Sequence, residues 1–309
     1  MSSDALRLKL AAKPYLWAYI VGTALLLVCS VIWWFAVYLG SQHVFWSMID
    51  TSLSTQSVVV RSQQGAGTGD SLEQVVHFDL GNVNQAHSLT TLKQGKTEVK
   101  TEIIGTRTTD YTRYLSIASD TKADTSKVKN VWSKTSDKGP AGTTVNGHQL
   151  FAQAVLGVGL PLGGVPVPIG ALTTAQHTAL YNLIRDEAVY KPDFSKVQKQ
   201  RKNGHLLYTY NVNIQTVLYI GMMKDFAKDL GMSDLDAVDP NSFSSNPTLP
   251  VKLTVDAYAH QLVGVDFGAK GYTQNYESYG LPLKESLPTQ TISVDELQKR
   301  LQAVGTQAQ

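Results

Sequence analysis

The chain has 309 residues, 27 Lys and Arg against 25 Asp and Glu, and a single cysteine, Cys29. Arg7, Lys9, Lys13 and Asp4 lie before residue 15, and residues 15–39 are uncharged, which leaves 24 charges of each sign in residues 40–309. A neutral body of this kind excludes the concentrated basic surface that nucleic acid requires, and one cysteine excludes an intrachain disulfide.

In chain order, residues 15–39 (YLWAYIVGTALLLVCSVIWWFAVYL) come first. At about 1.5 Å of rise per residue such a run exceeds the roughly 30 Å hydrocarbon core of a bilayer, and in lipid it has to be helical. The basic tail before it and the lack of Lys or Arg in residues 40–49 predict a cytoplasmic N-terminus and an extracytoplasmic remainder. Trp17 near one end and Trp33, Trp34 and Tyr38 near the other are candidate interfacial anchors. A cleaved signal peptide has an apolar core of only about 7–15 residues, so a retained single-pass anchor is expected. Leu26-Leu27-Val28-Cys29 is a poor lipoprotein signal because Val28 stands where a small residue belongs, and Cys29 reads as a membrane-buried apolar side chain. The lack of disulfides and of Asn-x-Ser/Thr acceptors (Asn246 precedes Pro247) fits a bacterial envelope protein.

Ser41 to Ser54 has Val44, Phe45, Met48, Ile49 and Leu53 at helical spacing. Strands are expected at 57–61, 72–80, 87–93, 97–104 and 111–117, with Gln63 to Gly69 a loop and Gln94-Gly95-Lys96 a hairpin turn. In Glu98 to Ile103 charged residues alternate with Val99, Thr101 and Ile103, the pattern of a strand with one wet face. Residues 120–138 read as polar loop anchored by Val131 and Trp132.

Residues 139–184 contain no Asp, Glu, Lys or Arg. Within them, Val155 to Ile169 (VLGVGLPLGGVPVPI) is too rich in Gly and Pro for a second membrane helix. Its side chains either fill the core, line an apolar cavity, or touch membrane or a partner. Thr173 opens a helix to about Ala188. Asn203-Gly204 is a hairpin signal, followed by a strand with Leu206, Tyr208, Tyr210, Val212 and Ile214 on one side. Gln215 to Leu230 reads as a helix with Leu218, Met222, Phe226 and Leu230 in line, stopped by Gly231. Strands at 251–258, 261–267 and 272–279 follow, and Ser293 to Glu296 has a capping-box pattern that opens a last helix.

Chemistry is sparse. The seven histidines (His43, His77, His87, His148, His177, His205, His260) show no metal-ligand spacing, and no nucleophile elbow, phosphate loop or dinucleotide fingerprint occurs. The acidic loop 234–247 lacks EF-hand spacing and reads as a solvated loop. No catalytic residue, metal or cofactor is expected. Met222 and Met223 beside Tyr219 and Phe226 read as core or as the wall of an adaptable apolar pocket.

The stretch Gly204-His-Leu-Leu-Tyr-Thr-Tyr-Asn-Val212, then a helix, then Val251-Lys-Leu-Thr-Val-Asp-Ala-Tyr-Ala-His-Gln-Leu-Val-Gly-Val265, resembles the paired-strand end of LolA/LppX-type envelope lipid carriers. That resemblance implies an α+β fold in which a curved, unclosed antiparallel sheet cups an apolar cavity beneath helices. A retained membrane helix departs from it and implies a fixed binding role instead of shuttling.

The expected organisation is a cytoplasmic tail (1–14), a transmembrane helix (15–39), a juxtamembrane helix or linker (40–56), an extracytoplasmic domain (57–290) and a C-terminal helix and tail (291–309). The expected function is non-catalytic binding of a hydrophobic or lipidic ligand. The candidate lining residues are Leu156, Val158, Leu160, Leu162, Val165, Val167, Ile169, Met222 and Phe226. The alternative is a structural protein of the envelope with a protein or glycan partner. Membrane lipid around the N-terminal helix is an expected partner; nucleic acid is not.

Overall fold

The computed structural model describes residues 3–65, 69–81, 83–118, 124–136, 149–156, 165–268 and 272–306. It separates into two units, residues 1–46 and residues 47–309. In the first, α1 (Ser3–Val37) includes Trp17–Val37, with a mean hydropathy of 2.4, long and apolar enough to cross a membrane. Trp17, Trp33 and Trp34 are exposed, and Trp34 stacks on Tyr38 at 5.2 Å. Along α2 (Ser41–Leu53) the expected stripe of Val44, Phe45, Met48, Ile49 and Leu53 is buried.

The second unit is a curved, open α+β half-barrel. Its thirteen described strands are β1 (Ser57–Gln64), β2 (Ser71–Asp79), β3 (Gln85–Gln94), β4 (Thr97–Thr106), β5 (Thr109–Ala118), β6 (Ser133–Ser136), β7 (Tyr190–Pro192), β8 (Gln198–Lys202), β9 (His205–Gln215), β10 (Thr248–Asp256), β11 (Gln261–Asp266), β12 (Thr273–Glu277) and β13 (Ile292–Ser293). They run in the order β13-β6-β5-β4-β3-β2-β1-β12-β11-β10-β9-β7, with β8 also on β9. The pairings are antiparallel except β13 on β6. The tight turns do this locally: Gly95 (φ 57°), Asn203 (φ 51°) and Gly204 (φ 83°) take the left-handed conformation that closes hairpins.

The inner face carries the core. On β9, Tyr208, Tyr210, Val212 and Ile214 are buried, as their alternation predicts. Val251, Leu253 and Val255 of β10 and Val58, Val60, Val76 and Phe78 of β1 and β2 are buried too. Helix α3 (Gln149–Leu156) packs on β2, β3 and β4. It settles over Gly105, where a Cβ would come within 3.0 Å of Leu150 and 3.1 Å of Phe151, and Asp110 accepts the Leu150 N–H at 2.9 Å. Helices α4 (Thr174–Asp186) and α5 (Thr216–Asp229) pack on each other. A last helix, α6 (Val294–Thr306), packs on β6 and β13, and its Glu296 N–H is capped by Ser293.

Several expectations need correction. β1 continues to Gln64, into the expected loop. Residues 120–138 contain β6, and Val128 is fully buried beside the anchors expected there. Helix α3 and strand β7 were not expected. On α5 the buried residues are Met222, Met223, Phe226 and Ala227, while Leu218 stays 36% exposed, so the buried stripe is rotated from the expected line. The charged face of β4 is the outer one, but it is not wet throughout. Residues 278–292 cross that face, held by Leu281 O on His77 Nε2 (2.9 Å), Leu283 N on Asp79 (3.1 Å) and Ile292 N on Trp132 O (2.8 Å). Glu102 and Ile104 lie buried on that same face.

Candidate ligand-binding site

The Gly- and Pro-rich segment re-enters the described structure at Val165 and runs to the N-terminus of α4. Gly170 N donates to Ser52 O at 3.2 Å and Leu172 N to Leu53 O at 3.4 Å, so the segment lies along the end of α2. Val165, Val167 and Ile169 are buried. Two tyrosines bind its carbonyls: half-buried Tyr219 of α5 donates to Val165 O, and buried Tyr190 of β7 donates to Pro166 O at 2.8 Å. Gly170 lies against Phe226, where an added Cβ would sit 2.7 Å from a ring carbon. The fold thus brings Val165–Ile169 onto the helix that carries Met222 and Phe226. Leu156 is buried at the end of α3 on the other half of the sheet. Val158, Leu160 and Leu162 fall outside the described residues.

The inner face also carries polar groups that sequence reasoning missed. Gln274 is 1% exposed; its Nε2 donates to Tyr272 Oη at 2.6 Å, and Tyr276 Oη donates back to its Oε1 at 3.0 Å. Burial pushes the Tyr190 phenol well above its ordinary range, with Tyr219 and Tyr276 beside it adding to the effect, and burial does the same to Tyr219 and Tyr276. These hydroxyls stay neutral donors at any physiological pH. The signal was present as the alternation Tyr272-x-Gln274-x-Tyr276, which marks one strand face but not which face is inside.

Away from α3, the inner face opens. Leu72 of β2 lies opposite Leu92 of β3, Leu92 opposite Val99 of β4, and Val99 opposite Ile117 of β5. Directly opposed residues of antiparallel strands share a face, and Leu72 shares its face with Gln74, Val76 and Phe78. The result is a row of four apolar side chains across four strands. Leu92 is 43% exposed, and Leu72, Val99 and Ile117 are half-buried.

Clefts also lie elsewhere, and two of them hold paired charged groups. One, of about 500 Å³, is lined by Lys202, His205, Asp256, Gln261, Glu277 and Tyr279, among others. In it His205 Nδ1 meets Asp256 Oδ2 at 2.5 Å, while Asp256 Oδ1 accepts the Tyr258 and Ala259 N–H groups. Burial acts to raise the Asp256 carboxyl, but the bonds from His205 and the two N–H groups outweigh it and hold it below its ordinary range. No hydroxyl or thiol is hydrogen-bonded to His205 among the described residues. The second cleft, of about 630 Å³, lies on the outer face of β4 and β5. Neither is lined by the residues expected from sequence to hold a ligand. Among the described residues no cluster of three His, Cys, Asp or Glu could hold a metal ion.

No family model matches the chain, and no curated protein matches it. Among solved structures it is similar to LprF from Mycobacterium bovis, at 15% identity over 80% of this chain and 96% of that one, with a TM-score of 0.39.

Proposed function

We propose that the chain is a membrane-anchored, extracytoplasmic, non-catalytic binding protein that holds an apolar, acyl-chain-like ligand against the inner face of its sheet. The observation that carries this reading is the partly open row Leu72, Leu92, Val99 and Ile117. Fully burying an aliphatic side chain is worth about 1.5–3 kcal/mol, so completing the burial of four half-covered ones contributes roughly 3–6 kcal/mol. That suits a reversible binder that exchanges ligand with a membrane. The segment 165–172, tied down by the Tyr190 and Tyr219 hydroxyls and by two backbone bonds to the end of α2, is the part of the covering layer with irregular backbone, and Val165, Val167, Ile169, Met222 and Phe226 form the cover's underside. Trp17–Val37 is the anchor, with Arg7, Lys9 and Lys13 keeping the N-terminus cytoplasmic and Trp17, Trp33, Trp34 and Tyr38 at the two interfaces.

The test uses the full chain in nanodiscs and a photoactivatable fatty acid, with adducts mapped by mass spectrometry. Adducts are expected on the peptides that hold Leu92, Val99 and Ile117 as well as on α1. Leu89 and Leu92 provide a matched pair on β3: both are about equally exposed (42% and 43%), on opposite faces. Leu92→Gln should lower labelling of the domain about tenfold and Leu89→Gln should leave it unchanged. Labelling confined to α1, or equal loss in both variants, would sink the lipid reading and favour a protein or glycan partner.

A further inference from the structure

The outer-face cleft is built around a buried charge. Glu102 projects from β4 to the outside of the sheet, yet its side chain is only 10% exposed because residues 284–290 pass over it. A carboxylate so covered needs partners, and it has two: His87 Nε2 at 2.9 Å and Arg113 Nε at 2.5 Å. Arg113 is fixed a second time, with its guanidinium 4.5 Å from the centre of the Trp132 ring. Held by Nε on one edge and by the indole on one face, its Nη1 and Nη2 end has no hydrogen-bond partner among the described residues.

The rest of the lining fits a small ligand with one charged end. Ile104, Leu287 and Pro288 are apolar; Ser286, Thr289 and Gln290 offer hydroxyls and an amide; Lys284 stands on the strap side. The carboxylates are already engaged. Glu102 is held as above, and Glu285 meets His87 Nδ1 at 3.5 Å and the Lys284 N–H at 3.1 Å. The carboxylates of Glu102 and Glu285 balance the cations of Arg113 and Lys284, so the lining carries no excess of cations to favour a multiply charged anion. What remains is a pre-oriented fork, whose spacing and planarity match a carboxylate bidentately.

We propose that this cleft binds a small organic carboxylate, anchored on Arg113 and assisted by Lys284, independently of the apolar row on the inner face. Trp132 is the natural reporter, because the other four tryptophans (Trp17, Trp33, Trp34, Trp46) lie in the first 46 residues. The full chain, labelled with 5-fluorotryptophan and held in nanodiscs, would be titrated by 19F NMR with acetate, benzoate and inorganic phosphate at constant ionic strength. Trp132→Phe identifies the resonance. We expect a saturable shift with benzoate, a weaker affinity for acetate, which cannot use the apolar walls, and no saturable shift with phosphate. Arg113→Lys keeps a cation beside Glu102 but removes the fork, and should weaken benzoate binding about tenfold; Lys284→Gln, which leaves the Glu102 cluster untouched, should weaken it severalfold. If Arg113→Lys does not fold, as its unliganded spectrum will show, Lys284→Gln decides alone. Non-saturating shifts, phosphate binding as tightly as benzoate, or unchanged affinity in the variants that fold would overturn the proposal.

Discussion

Gly170 is where the Gly- and Pro-rich segment comes closest to α5, and its requirement is spatial. A Cβ there would lie 2.7 and 2.8 Å from two ring carbons of Phe226, which is itself fully buried. Gly170→Ala should therefore cost about 1–3 kcal/mol by overpacking, measured as a drop in the urea midpoint at constant slope, and Phe226→Leu should recover part of the loss in the double variant. Single residues were legible where chemistry and spacing coincide. The burial of Val165, Val167 and Ile169 follows from their being apolar in a region without charge, and that of Met222 and Phe226 from their four-residue spacing along α5. The role of Glu102 was not legible, because nothing in Glu98-Val99-Lys100-Thr101-Glu102-Ile103 announces that a strap from residues 284–290 will cover it.

Elements were legible where local signals agree. Helix α4 starts where Thr173 sits three residues before Gln176; the Thr173 Oγ1 accepts the Gln176 N–H, and the Gln176 side chain accepts the Thr173 N–H at 3.1 Å. Thr173→Ala should cost about 1 kcal/mol of stability, readable in urea denaturation, with Thr173→Ser close to the parent. The hairpin at Asn203-Gly204 and the tyrosine face of β9 were equally clear. By contrast β6 is Ser-Lys-Thr-Ser, a sequence with no apolar alternation, and it is a strand because β5 and β13 flank it. Helix α3 is started by Asp110, about forty positions earlier in the chain. The apolar row on the inner face needs the register of four strands at once, and register is a tertiary property.

At the scale of the whole molecule, one cysteine offers a direct probe of orientation. With Cys29 replaced by Ala, single cysteines placed at Ser2 and at Ser54 can be challenged with a membrane-impermeant maleimide in intact cells. Labelling is expected at position 54 only. Labelling at position 2 only would reverse the orientation and move the proposed ligand to the cytoplasmic side. The charge distribution argues for the first outcome, since the net positive charge resides in the tail before residue 15 while residues 40–309 are balanced.

Strand β1 also sets the timing of folding. One of its edges is satisfied at once by β2, but the other is filled by β12, with Val59 opposite Glu277, 218 positions later. Until those residues arrive, β1 presents a row of unpaired backbone groups on an apolar strand, open to the same strand of a neighbouring chain. So distant a pairing is also slow to find. Synthesis must be nearly complete before that edge closes. Any product ending before β12 should therefore aggregate instead of forming half a domain, as light scattering of a chain truncated at residue 268 would show.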